Sequence, residues 1–133
     1  MKLRTHKTRA IEMLEHRGWL AGDVEMRINR QLTRDLFGFA DLVAVHEQLP
    51  AGTLALQVTD ATNVATRVRK CLAEPNVVRV LRCGWRVEVW GVRDKITKAG
   101  SLLKARTLLL EEDRETVRVE EGSLSILHSQ EIR

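Results

Sequence analysis

Arg34-Asp35-Leu36-Phe37-Gly38-Phe39-Ala40-Asp41-Leu42-Val43-Ala44-Val45 leads, after a short connection, into Thr53-Leu54-Ala55-Leu56-Gln57-Val58-Thr59-Asp60 and a basic segment from Ala61 to Lys70. Both runs are apolar enough to be strands of a covered sheet, and each holds polar residues where a core wants none. Asp41 lies inside a run that is apolar on both sides, and Gln57 and Thr59 are two positions apart. The two-residue period of a strand therefore points Gln57 and Thr59 to one face. An unpartnered buried polar group costs roughly 1–3 kcal/mol, and a divalent metal is one partner that removes the cost. Leu49-Pro50-Ala51-Gly52 is turn chemistry between the runs, so they form an antiparallel hairpin.

Upstream, residues 3 to 17 read as a helix in which Leu3, Ala10, Ile11 and Leu14 share a face, with Gly18 as the stop. A strand near Val24 to Ile28 alternates Val24, Met26 and Ile28 with Glu25 and Arg27, the latter face being solvated. Gly38 marks a bulge or a close backbone approach. Downstream, Asp60, Thr62 or Asn63 caps a helix with an apolar stripe of Val64, Val68, Cys71 and Leu72. Pro75 ends that helix and opens a short one that turns Val78 and Leu81 inward. Trp85 to Val92 alternates as a strand, Lys95 to Gly100 is a basic loop, and Leu102–Leu110 and Thr116–Val119 form a further strand pair. The segment from Gly122 to Arg133 is expected to fray. This order predicts an α/β fold with a mixed central sheet flanked by helices.

A chain of 133 residues with 44% hydrophobic content fits one compact domain. Residues 1–110 make a basic α/β domain, net +8, and 111–133 an acidic C-terminal extension of it, carrying Glu111, Glu112, Asp113, Glu115, Glu120 and Glu121. Arginine outnumbers lysine sixteen to six, and its planar donor fork suits phosphate, so a polyanion is a natural partner beside a plain solvated surface. Cys71 and Cys83 have no metal or redox spacing and read as reduced core thiols. Lacking a long apolar run and an apolar stretch behind its first charges, the chain is expected to be cytoplasmic and away from membranes.

Asp41-Leu42-Val43-Ala44 and the apolar strand ending Gln57-Val58-Thr59, followed by a basic helix, resemble the PD-(D/E)XK nuclease superfamily. More narrowly, they are similar to archaeal and phage Holliday-junction-resolvase-like and VRR-NUC-like members, with Gln-x-Thr in place of Glu-x-Lys. The resemblance implies a restriction-endonuclease-like core and an endonuclease that hydrolyses DNA phosphodiester bonds, at branched or Holliday-junction-like structures. It also implies Mg²⁺ or Mn²⁺ as cofactor and a homodimer, for which the strand from Trp85 to Val92 is a candidate interface. Asp41 would anchor the metal, Gln57 would offer its carbonyl oxygen, and Thr59 occupies the position of the motif lysine.

Lys70 or Arg67 would then supply the missing cation from the following helix. Asp60 either replaces the lost carboxylate or caps that helix. The acid that such enzymes carry on their first helix falls in register near His6, with Glu15 as the acidic candidate or a surface carboxylate. Asp35 is a site ligand or a turn residue. Arg27, Arg30, Arg34, Arg67, Arg69 and Lys70 would neutralise DNA phosphates. Loss of both Glu and Lys from the motif also fits a catalytically inactive nuclease fold that binds nucleic acid or a protein partner.

Overall fold

The computed structural model describes residues 5–50, 52–97 and 100–126, with side chains described outside 93–103. Helix α1 (His6–Glu15) starts at Thr5, whose hydroxyl accepts the Thr8 amide at 3.0 Å, an N-terminal cap. Strands β1 (Leu20–Asp23), β4 (Leu42–Val45) and β5 (Thr53–Asp60) follow, and a small separate ribbon of β2 (Met26–Arg27) and β3 (Thr33–Arg34) rises between β1 and β4. A single helical turn at Ala61–Asn63 leads into α2 (Val64–Ala73) and α3 (Pro75–Arg82), and then β6 (Arg86–Thr97), β7 (Gly100–Leu110) and β8 (Val117–Glu121) complete the chain.

The main sheet has six strands in the order β1-β4-β5-β6-β7-β8. Every neighbouring pair is antiparallel except β5 and β6, which run parallel because α2 and α3 form the crossover between them. Alternation along β5 divides the core. Leu54, Leu56 and Val58 pack under α1 with Leu14, Leu42 and Trp90, whereas Ala55 packs under α2 and α3 with Val64, Cys71, Val77 and Val87. The result is a mixed sheet between helical layers, and the hairpin of β4 and β5 lies where the sequence places it.

Several expectations are corrected. Of the loop expected at Lys95 to Gly100, residues 95–97 instead belong to β6 and Gly100 to β7, with Thr97 paired to Gly100, and residues 98 and 99 lie outside the described residues. Ladder hydrogen bonds to a neighbouring strand override a basic, turn-like composition there. β6 is interior, flanked by β5 and β7, so the stretch from Trp85 to Val92 offers no free strand edge to a second copy. Helix α3 turns Val77 and Val80 inward, with Val78 and Leu81 at its flanks. Pro75 in its first turn and the Glu74 carboxylate, which accepts the Asn76 amide at 3.2 Å, fix that rotation.

The ribbon inverts the expected sidedness. Met26 and Ile28 are exposed and Glu25 is half-buried, because β2 pairs only with β3, off the main core, while Glu25 finds a cation. Cys83 is exposed at the end of α3, so Cys71 alone is a core thiol. The residues after Gly122 do not fray at once: Ser123, Ser125 and Ile126 are buried, and both serine hydroxyls bond Glu88. The acidic extension joins the same sheet through β8. Leu3 and residues 127–133 lie outside the described residues.

Candidate functional site

Asp41 is held into the sheet just before β4, its amide donating to the Leu56 carbonyl at 3.0 Å and its carbonyl accepting the Val24 amide at 3.1 Å. The regular pairing ends at Leu42 and Leu56, and the Asp41 amide donates to that same Leu56 carbonyl, which leaves the Asp41 side chain within reach of the Gln57 side chain. Both side chains stand on the face covered by α2, and Asp41 is 6% exposed. Its carboxylate accepts the Gln57 side-chain amide at 3.0 Å on Oδ2 and the Val58 backbone amide at 3.2 Å on Oδ1. A carboxylate has about four lone-pair directions, so these donors leave acceptor capacity facing outward. That direction is a cleft of about 430 Å³.

The cleft collects acids. Glu25, Asp35 and Asp41 all line it, beside Gln57 and Thr33. Burial, the Asp35 charge and, more weakly, Glu25 push Asp41 up to about 7, against the pull of the Val58 amide and Lys7. Asp35 is raised as well, by burial first and then by the charge and hydrogen bond of Glu25. Glu25 goes the other way. A hydrogen bond from Lys7 at 2.6 Å, and another from the Thr33 hydroxyl at 3.0 Å, keep it below its ordinary value. Burial alone would lower Lys7, yet its contacts with Asp23 and Glu25 hold it above its ordinary value. Carboxyls whose environments drive them apart in this way can divide proton-holding from charge-holding roles. Cations form the rim: Arg34 from β3, and Arg67 and Lys70 from α2.

Asp35, Asp41, Gln57, Arg34, Arg67 and Lys70 are thus brought together. Thr59 is buried one pleat further along the same face of β5 and does not line the cleft. Glu15 is exposed at the last residue of α1, outside the cleft, because the first turn of the helix faces the site. Asp60 caps the following helical turn, taking the Thr62 and Asn63 amides, and the Thr62 hydroxyl lowers its pKa. His6 acts electrostatically on Asp60. Arg27 and Arg30 belong to the outer ribbon, where the Arg27 guanidinium donates to the Arg30 carbonyl at 3.3 Å. Arg69 faces elsewhere, into a second hollow with Lys104 and Arg106.

Lys7 and Glu25 escaped the sequence reading. Lys7 had a visible signal: it shares a helical stripe with Ile11 and Leu14, so the helix face that packs on the sheet carries it toward the site. Glu25 had none, since its sidedness depends on β2 leaving the main sheet.

The cleft's oxygen donors, Asp35, Asp41 and the Gln57 amide, are of the type that Mg²⁺ or Mn²⁺ accepts, and an acid whose pKa a neighbouring acid raises, as Asp35 raises that of Asp41, is relieved by a cation between them. Among the described residues, no three His, Cys, Asp or Glu side chains form a group able to hold a metal ion, so a metal here would need the amide oxygen as a ligand. Among the described residues no helix is long and apolar enough to cross a membrane. Compared with protein-family models, curated proteins and solved structures, the chain matches none.

Proposed function

We propose that this chain is a metal-dependent endonuclease of the PD-(D/E)XK type that hydrolyses DNA phosphodiester bonds. The observation that carries the reading is the floor of the cleft: Asp41 hydrogen-bonded to the Gln57 side chain across an antiparallel hairpin, with Asp35 beside them and Arg34, Arg67 and Lys70 lining the same cleft. The order of elements supports it. Helix α1, three antiparallel strands β1, β4 and β5, the crossover α2–α3 and the parallel strand β6 follow the succession that a restriction-endonuclease-like core requires.

Each group has a task. Arg34, Arg67 and Lys70 draw a phosphodiester into the cleft and offset its charge. Asp41 and Asp35, with the Gln57 carbonyl, would hold Mg²⁺ or Mn²⁺, which supplies Lewis acidity and a more acidic water. Lys70 or Arg67 stands in for the lysine that Thr59 replaces. Lys7 holds the Glu25 carboxyl below its ordinary value, while burial and then the Glu25 charge hold that of Asp35 above its own.

A second reading is a nuclease fold that grips nucleic acid without cutting it. The Gln57 amide donates to Asp41, filling with a neutral donor the side from which a motif carboxylate would help hold metal.

Cleavage of labelled four-way junction, flap, duplex and single-stranded DNA in Mg²⁺ and in Mn²⁺ separates the two. The nuclease should cut, and Asp41→Ala should lose roughly a hundredfold or more of that rate. Binding without cutting, unchanged in Asp41→Ala, would establish the second reading.

A further inference from the structure

The cleft does not account for the hollow next to it. Phe37, Asn76, Arg79, Val80, Cys83 and Trp85 line a pocket of about 270 Å³. One wall of this pocket breaks a local rule. The Phe39 amide donates to the Leu36 carbonyl at 3.2 Å, closing a turn whose central residues, Phe37 (φ 57°) and Gly38 (φ 85°), are both left-handed. Such a turn favours Asn, Asp or Gly at its first central position, and a bulky side chain there is an outlier. Gly38 meets its requirement, since a Cβ would strike the Glu74 carboxylate. Phe37 does not, and burial does not compensate: the ring is 46% exposed.

The turn is nevertheless anchored. The Asn76 side-chain amide donates to the Phe37 carbonyl at 3.1 Å, and the Phe37 ring lies 6.2 Å from that of Trp85, tilted by 58°. An aromatic is therefore held in a strained position with a face open, against a second aromatic. Phe37 lines this pocket while Gly38, the next residue, lines the acidic cleft with its Arg34, Arg67 and Lys70 rim. A strand whose phosphate enters the cleft presents its neighbouring base at the pocket. Arg79 and the spare N–H of Asn76 are at hand for the polar edge of that base.

We infer that the pocket receives one unpaired nucleobase of the DNA strand bound in the cleft, stacked on Phe37. The substrate is then DNA with an unpaired nucleotide beside the scissile phosphate, and not continuous duplex. The course of the strand rests on the nuclease reading; the base pocket is tested without cleavage.

The measurement is binding in EDTA of three duplexes: one with a bulged 2-aminopurine, one with an abasic residue at the bulge, and one fully paired. The wild type should prefer the base-bearing bulge to the abasic one by roughly tenfold, the scale of one aromatic stack, and should quench the 2-aminopurine. Phe37→Asn places a residue suited to the left-handed turn, so it should keep or raise the melting temperature and lose the preference. Equal wild-type affinity for the base-bearing and abasic bulges overturns the inference, and so does a Phe37→Asn protein that keeps the preference. Alkylation of the exposed Cys83 gives a readout in the unaltered chain. Base-bearing DNA should slow it and abasic DNA should not, and equal protection overturns the pocket. Loss of cleavage in Mg²⁺ with the preference intact would fault only the nuclease reading.

Discussion

Asp41 and Glu88 are both buried carboxylates of one sheet, on opposite faces, and their surroundings are opposite too. Glu88, with no exposed surface, accepts from Trp90 Nε1 at 2.8 Å and from the Ser123 and Ser125 hydroxyls at 2.6 Å each. Its donors are neutral and close it in. Asp41 takes a side-chain amide and a backbone amide, then opens onto a cleft where burial and the Asp35 charge push its pKa up to about 7. Burial of a charge is therefore not the mark of a site. The mark is burial with acceptor capacity left over and like charges alongside.

The sharpest way to break this contrast is pH. Asp41 has a folded pKa of about 7 against an ordinary 3.8, so the folded state holds its proton more tightly than the unfolded chain does. The associated stability is full below the ordinary value and is lost as pH rises through about 7. Asp41→Asn should match the wild type near pH 4 and exceed it at pH 8, by at most about 4 kcal/mol in urea unfolding. A difference that stays flat across that window would overturn the raised pKa of Asp41.

Glu88→Ala comes next. It strands Trp90 Nε1 and two buried hydroxyls, and should cost about 3 kcal/mol by the same measurement. On the nuclease reading, DNA cleavage per folded molecule should be unaffected, since none of these groups lines the cleft.

Metal sharpens the comparison further. Mg²⁺ at ten times its dissociation constant should stabilise the wild type at pH 8 by about 1.4 kcal/mol, and Asp41→Asn not at all. Calorimetric melting with and without Mg²⁺ reads this difference. The smallest effect belongs to Lys7→Met, which removes part-exposed pairs with Asp23 and Glu25. About 0.5 kcal/mol of stability should go, and the Glu25 carboxyl, followed by NMR titration, should move up.

The hairpin bearing Asp41 and Gln57 was legible in the sequence because a two-residue period, a turn and misplaced polar residues all coincide there. The crossover through α2 and α3 was legible as well, from Asp60 as a cap and Pro75 as a break. The rotation of α3 was not, because Val77, Val78, Val80 and Leu81 permit two apolar faces and only the Glu74 cap selects one. Glu88 was read as the polar half of an alternating strand. Its burial depends on Ser123 and Ser125 returning from far along the chain, a contact that no local pattern announces. Glu15 is the surface carboxylate of the two readings, because nothing in the helical spacing tells which end of α1 meets the cleft.

The distances along the chain also set an order in time. Asp41 and Gln57 are 16 residues apart, whereas Glu88 lies 35 residues before Ser123 and 37 before Ser125. At roughly 5–20 residues per second on the ribosome, Glu88 waits about 2–7 seconds for its first serine. During that interval the strands and helix that form the cleft are already available to fold, while the opposite face of the sheet still shows an acid without its hydroxyl partners. A released chain truncated after Gly122 should therefore keep the strands and helix of the cleft resistant to protease while the strand around Glu88 is cut.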